Sequence, residues 1–176
     1  QVVSVITTTG FTTVDYDVWP PLSRAVLLLL MFVGGSAGST GGAIKVVRMN
    51  VLAKHSVREL KRAVYPRRVT VIRLNGKAVP EEVSSAVLAF VVLYVSVFLL
   101  SMLALSAMGL DFMSAVGAVA ATLGNIGPGF GLVGPACNYS AVPTIGKWLL
   151  SFCMLVGRLE VYTVLSLLVP GFWRKP

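Results

Sequence analysis

From Val83 to Met108 the chain runs for 26 residues without a charge, a proline or a glycine. As a helix this stretch is roughly 39 Å long at about 1.5 Å per residue. The hydrocarbon core of a bilayer is about 30 Å thick, so the segment can span it with some tilt. Pro80 suits a first helical position, and Glu81 and Glu82 suit the positive end of the helix dipole. A buried core helix would show the same run but needs a large soluble protein around it. Two further apolar segments are broken. One runs from Leu22 to Val33 and meets Gly34, Gly35, Ser36, Ala37, Gly38, Ser39, Thr40, Gly41 and Gly42. The other runs from Val142 to Val169 and carries Lys147, Gly157, Arg158 and Glu160. Charges in an apolar helix face a bundle interior or a watery cavity. A fourth segment, Phe112–Thr122, is opened by Asp111 as an N-cap. It measures roughly 16 Å as a helix, so it enters a membrane without crossing it.

Composition agrees with this pattern. Of the 176 residues, 56% are hydrophobic and 12% charged, about half the charged share of a soluble domain. The mean hydropathy is +0.83. Disorder is excluded by the same numbers. Cys137, Cys153 and His55 supply neither a disulfide framework nor a metal cluster. The chain opens mid-pattern at Gln1-Val2-Val3 and reads as part of a longer membrane protein. The net charge of +8 is concentrated: ten of the fifteen Lys and Arg lie between Lys45 and Lys77, with one acid, Glu59. By the positive-inside rule, this connection (residues 45–79) and the C-terminus, with Arg174 and Lys175, are cytoplasmic, and Asp111 is external. That topology accounts for the basic stretch without a nucleic-acid partner. Trp19, Trp148 and Trp173 flank the spans, as an aromatic belt does.

The segments repeat. Leu30-Met31-Phe32-Val33-Gly34 parallels Cys153-Met154-Leu155-Val156-Gly157, and Gly157-Arg158 is expected to interrupt the second helix as Gly34-Gly35 ends the first. Upstream of each lies a glycine-bearing polar patch: Thr7-Thr8-Thr9-Gly10-Phe11 in one copy, Gly124-Asn125-Ile126-Gly127-Pro128-Gly129 in the other. Each unit therefore reads as spanning helix, half-helix, extended turn, returning helix. Non-helical backbone at membrane depth must be buried in protein or line water. A re-entrant helix followed by such a turn is the geometry of an ion selectivity filter, in which carbonyls replace the ion's hydration shell and glycine allows them to aim inward. Thr hydroxyls add oxygen ligands. Asp15, Asp17 and Asp111 on the outer side would raise the local cation concentration. Ordinary interhelical loops also carry Gly and Thr, and the repeat favours the filter.

The patch around Gly10, the run Gly34–Gly42 leading into Ile44-Lys45-Val46-Val47-Arg48, and the pairing of Asn125-Ile126-Gly127-Pro128-Gly129 with Gly157-Arg158 resemble the TrkH/KtrB superfamily of potassium transporters, TrkH branch. The resemblance covers essentially the whole chain. It implies an all-α polytopic fold, with four helix–pore helix–helix repeats around one pseudo-four-fold pore. This chain resembles the third repeat from its pore helix onward (1–64), a cytoplasmic basic linker (65–80) and the fourth repeat (81–176). In the fourth, the first helix is expected at 81–108, the pore helix at 111–123, the filter at 124–129 and the second helix at 143–169.

The resemblance further implies K⁺ binding at Thr8, Thr9, Asn125 and Ile126, with Gly10 and Gly127 at the filter centres. It implies a gate made by the intramembrane loop (34–43) and Arg158. It also implies a homodimer in the lipid of a bacterial inner membrane, bound to a TrkA-type ring of nucleotide-binding regulatory subunits. K⁺ is cargo, and no organic cofactor is expected on this chain. Asn125-Ile126-Gly127-Pro128 departs from the commoner Thr/Ser-x-Gly pattern, so the filter is not four-fold symmetric.

Gly34-Gly35-Ser36-Ala37-Gly38 matches G-x-S-x-G, but a nucleophile elbow needs a preceding strand, an acid and a histidine. Gly38–Lys45 lacks the Gly-Lys-Ser/Thr ending of a phosphate loop. Glu160 has Arg158 or another helix as partner; residues two apart on a helix point to different sides, which favours the other helix. The reading is K⁺ uptake, not an enzyme. A non-catalytic scaffold subunit and an intramembrane enzyme are the alternatives.

Overall fold

The computed structural model describes residues 1–39, 41–65, 71–74, 76–159 and 164. The expectations placed on Thr40, Arg67, Arg68, Glu160, Trp173, Arg174, Lys175 and most of the second helix beyond 159 lie outside the described residues.

Helices dominate: α1 (Val2–Ile6), α2 (Pro21–Met31), α3 (Val46–Val64), α4 (Glu81–Ala107), α5 (Phe112–Leu123) and α6 (Thr144–Leu159). Two short strand pairs join them. β1 (Val33–Gly34) pairs in parallel with β2 (Ile44–Lys45), and β3 (Arg73–Leu74) pairs antiparallel with β4 (Lys77–Ala78).

The starts of the helices follow from their sequences. Pro21 occupies the first position of α2, and Glu81 and Glu82 fill the first turn of α4. Asp111 caps α5: its carboxylate accepts from the Ser114 amide at 3.1 Å. These hydrogen bonds from Ser114 hold the Asp111 carboxyl below the usual carboxylate range.

α5 is the centre of the molecule. Every residue from Ser114 to Leu123 is buried, because α4, α6 and α2 all pack on it. A helix apolar all round must be enclosed on all sides. Small residues on α5 let its neighbours approach: at Gly117 a Cβ would stand 2.5 Å from the Phe130 amide nitrogen. One cluster joins α5 to α4 and α6 through Leu105, Ala118, Val119 and Leu150. Another joins it to α1 and α2 through Val5, Tyr16, Leu27, Met31, Ile126 and Phe130.

The outward faces are apolar as well. α4 has a mean hydropathy of 2.7 over its most apolar window, yet only 22% of that window is buried. This separates it from the core helix of a soluble protein. Leu22 and Leu29 on α2, Leu100 and Leu103 on α4, and Trp148 and Leu155 on α6 are exposed. Contiguous apolar surface of this kind requires lipid or further protein against it.

α3 differs from the other long helices. It carries Lys54, Arg58, Lys61 and Arg62 and is tied back to the start of α4. Arg58 donates to both carboxylate oxygens of Glu81 at 2.7 Å. His55 Nδ1 lies 2.8 Å from Ser84 Oγ. Lys54 donates to the Arg73 carbonyl at 2.7 Å, which fixes the β3–β4 hairpin against α3.

One expectation is overturned. Gly157 and Arg158 do not interrupt the second broken segment, since α6 continues through both to Leu159. The glycine is there for contact. A Cβ at Gly157 would strike the Leu123 carbonyl oxygen and lie 2.7 Å from Asn125 Nδ2. Close approach to the end of α5, not helix breaking, explains this residue.

Candidate functional site

The half-helices α1 and α5 end in the same way. The Thr9 amide bonds the Ser4 carbonyl at 3.0 Å and the Thr8 amide bonds that of Val5 at 3.1 Å. The Ile126 amide bonds the Ala121 carbonyl at 2.8 Å and the Asn125 amide bonds that of Thr122 at 3.1 Å. Each is a Schellman cap, with its six-to-one and five-to-two bonds. The residue that must turn left-handed is Thr8 in one copy and Asn125 in the other, both at φ 56°. Asparagine tolerates this region; a β-branched threonine there is an outlier, and such strain clusters at functional sites.

Two residues on, Gly10 and Gly127 have φ 77° and 111°. The Ile126 carbonyl oxygen lies where a Cβ on Gly10 would be. Gly10 is therefore required both by its dihedral and by the approach of the other turn. Around Gly127 a Cβ would meet open space. The Ile126 side chain is buried with Val5 and Phe130, which leaves its backbone to face Gly10. In the first turn, Thr7 donates its hydroxyl to the Val3 carbonyl at 2.7 Å, so the 2.8 Å contact between Thr7 and Thr9 has Thr9 as donor.

The glycine loop packs against these turns. Its ends are closed by the β1–β2 pair, with Val33 opposite Ile44 and Gly34 opposite Lys45. Ala43, at φ 59°, makes the re-entry into β2, and Gly38, at φ 88°, turns the loop tip. A Cβ on Gly41 would lie 3.0 Å from Thr8 Oγ1, and one on Gly42 would lie 2.9 Å from Asn125 Nδ2. The loop thus touches the ends of both half-helices. Gly34 and Gly42 are buried, Gly35, Ser39 and Gly41 half-buried, and Ser36, Ala37 and Gly38 exposed. Asn125 ties the second turn to α6 by donating to the Met154 carbonyl at 3.3 Å. A cavity of about 140 Å³ under the loop is lined by Ser39, Gly41, Lys45, Arg48, Tyr94 and Arg158. Arg48 also stacks over the Phe90 ring, 4.1 Å from its centroid.

Asp17 and Asp111 hold structure. Asp17 accepts from the Gly131 amide at 2.7 Å and pairs with Arg24 at 3.0 Å, and Asp111 is engaged as the cap of α5. Cys137 and Cys153 are both free thiols. Among the described residues no cluster of His, Cys, Asp and Glu could hold a metal ion. Sequence reasoning missed three features: the left-handed Thr8 and Ala43, the Asp17 latch onto residue 131, and two tyrosines that reach the second turn. Tyr16 donates to the Gly129 carbonyl at 2.9 Å and Tyr139 to that of Gly127 at 2.7 Å.

A family model described as TrkH, a cation transport protein, matches residues 1–173. The chain belongs to the TrkH family. It is 49% identical, over 99% of its length, to the Trk system potassium uptake protein TrkH of Escherichia coli (strain K12). It is 37% identical, over 98% of its length, to the Trk system potassium uptake protein TrkG of the same strain. A crystal structure of the potassium transporter TrkH from Vibrio parahaemolyticus matches with a TM-score of 0.87 at 47% identity, covering 97% of this chain. The chain spans 36% of the length of both TrkH proteins and 35% of TrkG. TrkH membership makes the fold that of a polytopic, helix-dominated membrane transporter, and it removes the intramembrane-enzyme alternative.

The contact at Gly157 can be checked by substitution. Gly157→Val forces the end of α5 away from α6, an overpacking that costs about 1–3 kcal/mol. Its thermal unfolding midpoint in detergent should fall below that of the parent. An unchanged midpoint would mean that α5 and α6 do not touch there.

Proposed function

We propose that this chain forms half of a K⁺ uptake pathway across a bacterial inner membrane. The observation that carries the reading is the meeting of the two Schellman-capped turns, with the Ile126 carbonyl against Gly10. Two half-helices that aim their C-terminal turns at one place bring a row of backbone oxygens together. Helix C-termini carry partial negative charge, which favours a cation there. Oxygens from Thr8, Thr9, Gly10, Asn125, Ile126 and Gly127 replace part of the hydration shell, and K⁺ sits at Thr8, Thr9, Asn125 and Ile126. Oxygens from repeats outside this chain complete the ring, in keeping with the 36% share of its relatives that the chain spans.

Below the turns, the loop 34–43 blocks the way. Its contacts with Thr8 and Asn125 support a barrier directly under the ion sites. The cations lining the same cavity, Arg158 among them, raise the barrier to a positive ion. Release requires the loop to move. The basic stretch 45–79 and the C-terminus face the cytoplasm, as the charge bias supports. There the protein meets a TrkA-type nucleotide-binding ring and, as the family resemblance implies, works as a homodimer. A scaffold subunit would have no use for strained turns with glycine at both centres.

Three measurements test this. In full-length protein reconstituted in liposomes, Gly10→Ser and Gly127→Ser should each lower the permeability of K⁺ relative to Na⁺, because a side chain at these dihedrals costs about 1 kcal/mol or more; unchanged ratios in both would sink the filter. Deleting residues 35–41, or Arg158→Ala, should raise cation flux, and folded variants that conduct no faster than the parent would reduce the loop to a spacer. For topology, Lys77→Cys in a background carrying Cys137→Ser should resist an impermeant thiol reagent added outside intact cells. Labelling from outside would invert the orientation.

A further inference from the structure

The second turn is held by side chains from outside its own half-helix; among the described residues the first turn is held differently. Tyr139 lies in a single 3-10 turn, Tyr139–Ala141, with its ring against the cluster of Leu105, Val119 and Leu150. From there its hydroxyl reaches back to the Gly127 carbonyl at 2.7 Å. Tyr16 comes from the other repeat and is fully buried. Its hydroxyl donates to the Gly129 carbonyl at 2.9 Å, and its ring meets Phe130 edge-on at 5.2 Å. The next residue, Asp17, takes the Gly131 amide and is itself held by Arg24. The Gly129 amide closes the turn onto the Val133 carbonyl at 2.7 Å. By contrast, the Phe11 carbonyl of the first turn is held by Ser4 of its own half-helix, at 2.7 Å.

These contacts are specific in kind. A carbonyl that binds an ion has two lone pairs, and its direction decides which ions it suits. Gly127 has no side chain to fix that direction, and open space adjoins it. A phenol hydroxyl on the Gly127 oxygen sets its angle and shares its electron density. Burial pushes the Tyr139 hydroxyl up to about 12, so it stays a donor at any physiological pH.

We infer that Tyr139 and Tyr16 are positioning residues for ion selection: they hold the Gly127 and Gly129 carbonyls at fixed angles and so set the width of the fourth filter segment. The inference rests on the filter reading above. Packing alone would not require it, because a phenylalanine ring fills the same space as tyrosine. The hydroxyl is the part that acts.

The test uses the full-length transporter in liposomes. K⁺ and Na⁺ permeabilities are measured for the parent, Tyr139→Phe, Tyr16→Phe and, as the filter control, Gly10→Ser. Thermal unfolding in detergent is recorded for each. The expected result is a fall of about fivefold in the K⁺/Na⁺ ratio for Tyr139→Phe, equivalent to about 1 kcal/mol, the net worth of one hydrogen bond. A smaller fall is expected for Tyr16→Phe, whose carbonyl lies farther out. If Gly10→Ser lowers the ratio but both tyrosine variants keep the parent's, the filter stands and the positioning role is wrong. If the tyrosine variants only lower the unfolding midpoint, the contacts are structural and the inference fails. If Gly10→Ser also leaves the ratio unchanged, the filter reading falls and takes this one with it.

Discussion

A helix that stops inside a packed apolar body leaves carbonyls without partners, and nothing around it can satisfy them except other polar groups of the protein. The rest of this structure depends on how that demand is met. At the ends of α1 and α5 the chain folds back in a Schellman cap, which uses inner carbonyls for amides two and three residues past the helix. The cap forces one left-handed residue in each copy, Thr8 and Asn125. It also sends the following residues out as non-helical backbone, whose oxygens lie beyond the helix's own hydrogen bonds. Two such ends brought to one point give a polar spot in an apolar body.

The glycines then divide into two kinds of work. Gly127 supplies a dihedral, and Gly10 supplies both a dihedral and room. Gly42, Gly117 and Gly157 supply room, because a Cβ at any of them would run into the backbone of the turn or of the half-helix. The loop, α6 and the outer turn therefore converge on α5 at backbone distance. That convergence explains why α5 is buried from Ser114 to Leu123 and carries no residue larger than Leu there. Its neighbours leave no space on any side.

Much of this was legible in the sequence, and the gaps have physical causes. The short helix after Asp111 showed itself because its apolar run is brief and Asp111 marks its start. The repeat showed itself because glycines at matching places survive when other residues differ. Gly157 misled because helix propensity penalises glycine by about 1 kcal/mol whether or not a neighbour needs the space. Only the three-dimensional contact with Leu123 tells the two cases apart. The strain at Thr8 was hidden because threonine is the wrong residue by propensity for a left-handed turn. Tyr16 and Tyr139 were hidden because their partners lie 113 and 12 residues away, and nothing local marks a loop tyrosine as a donor to a distant carbonyl.

The short parallel bridge between Val33–Gly34 and Ile44–Lys45 has a mechanical meaning. It pins both feet of the glycine loop side by side, where α2 ends and α3 begins. A loop clamped at its base cannot be pulled straight by drawing the helices apart lengthwise. Its two ends keep one spacing, set by the β1–β2 pair. Any force that swings α3 is therefore delivered at the β1–β2 pair, at the base of the loop.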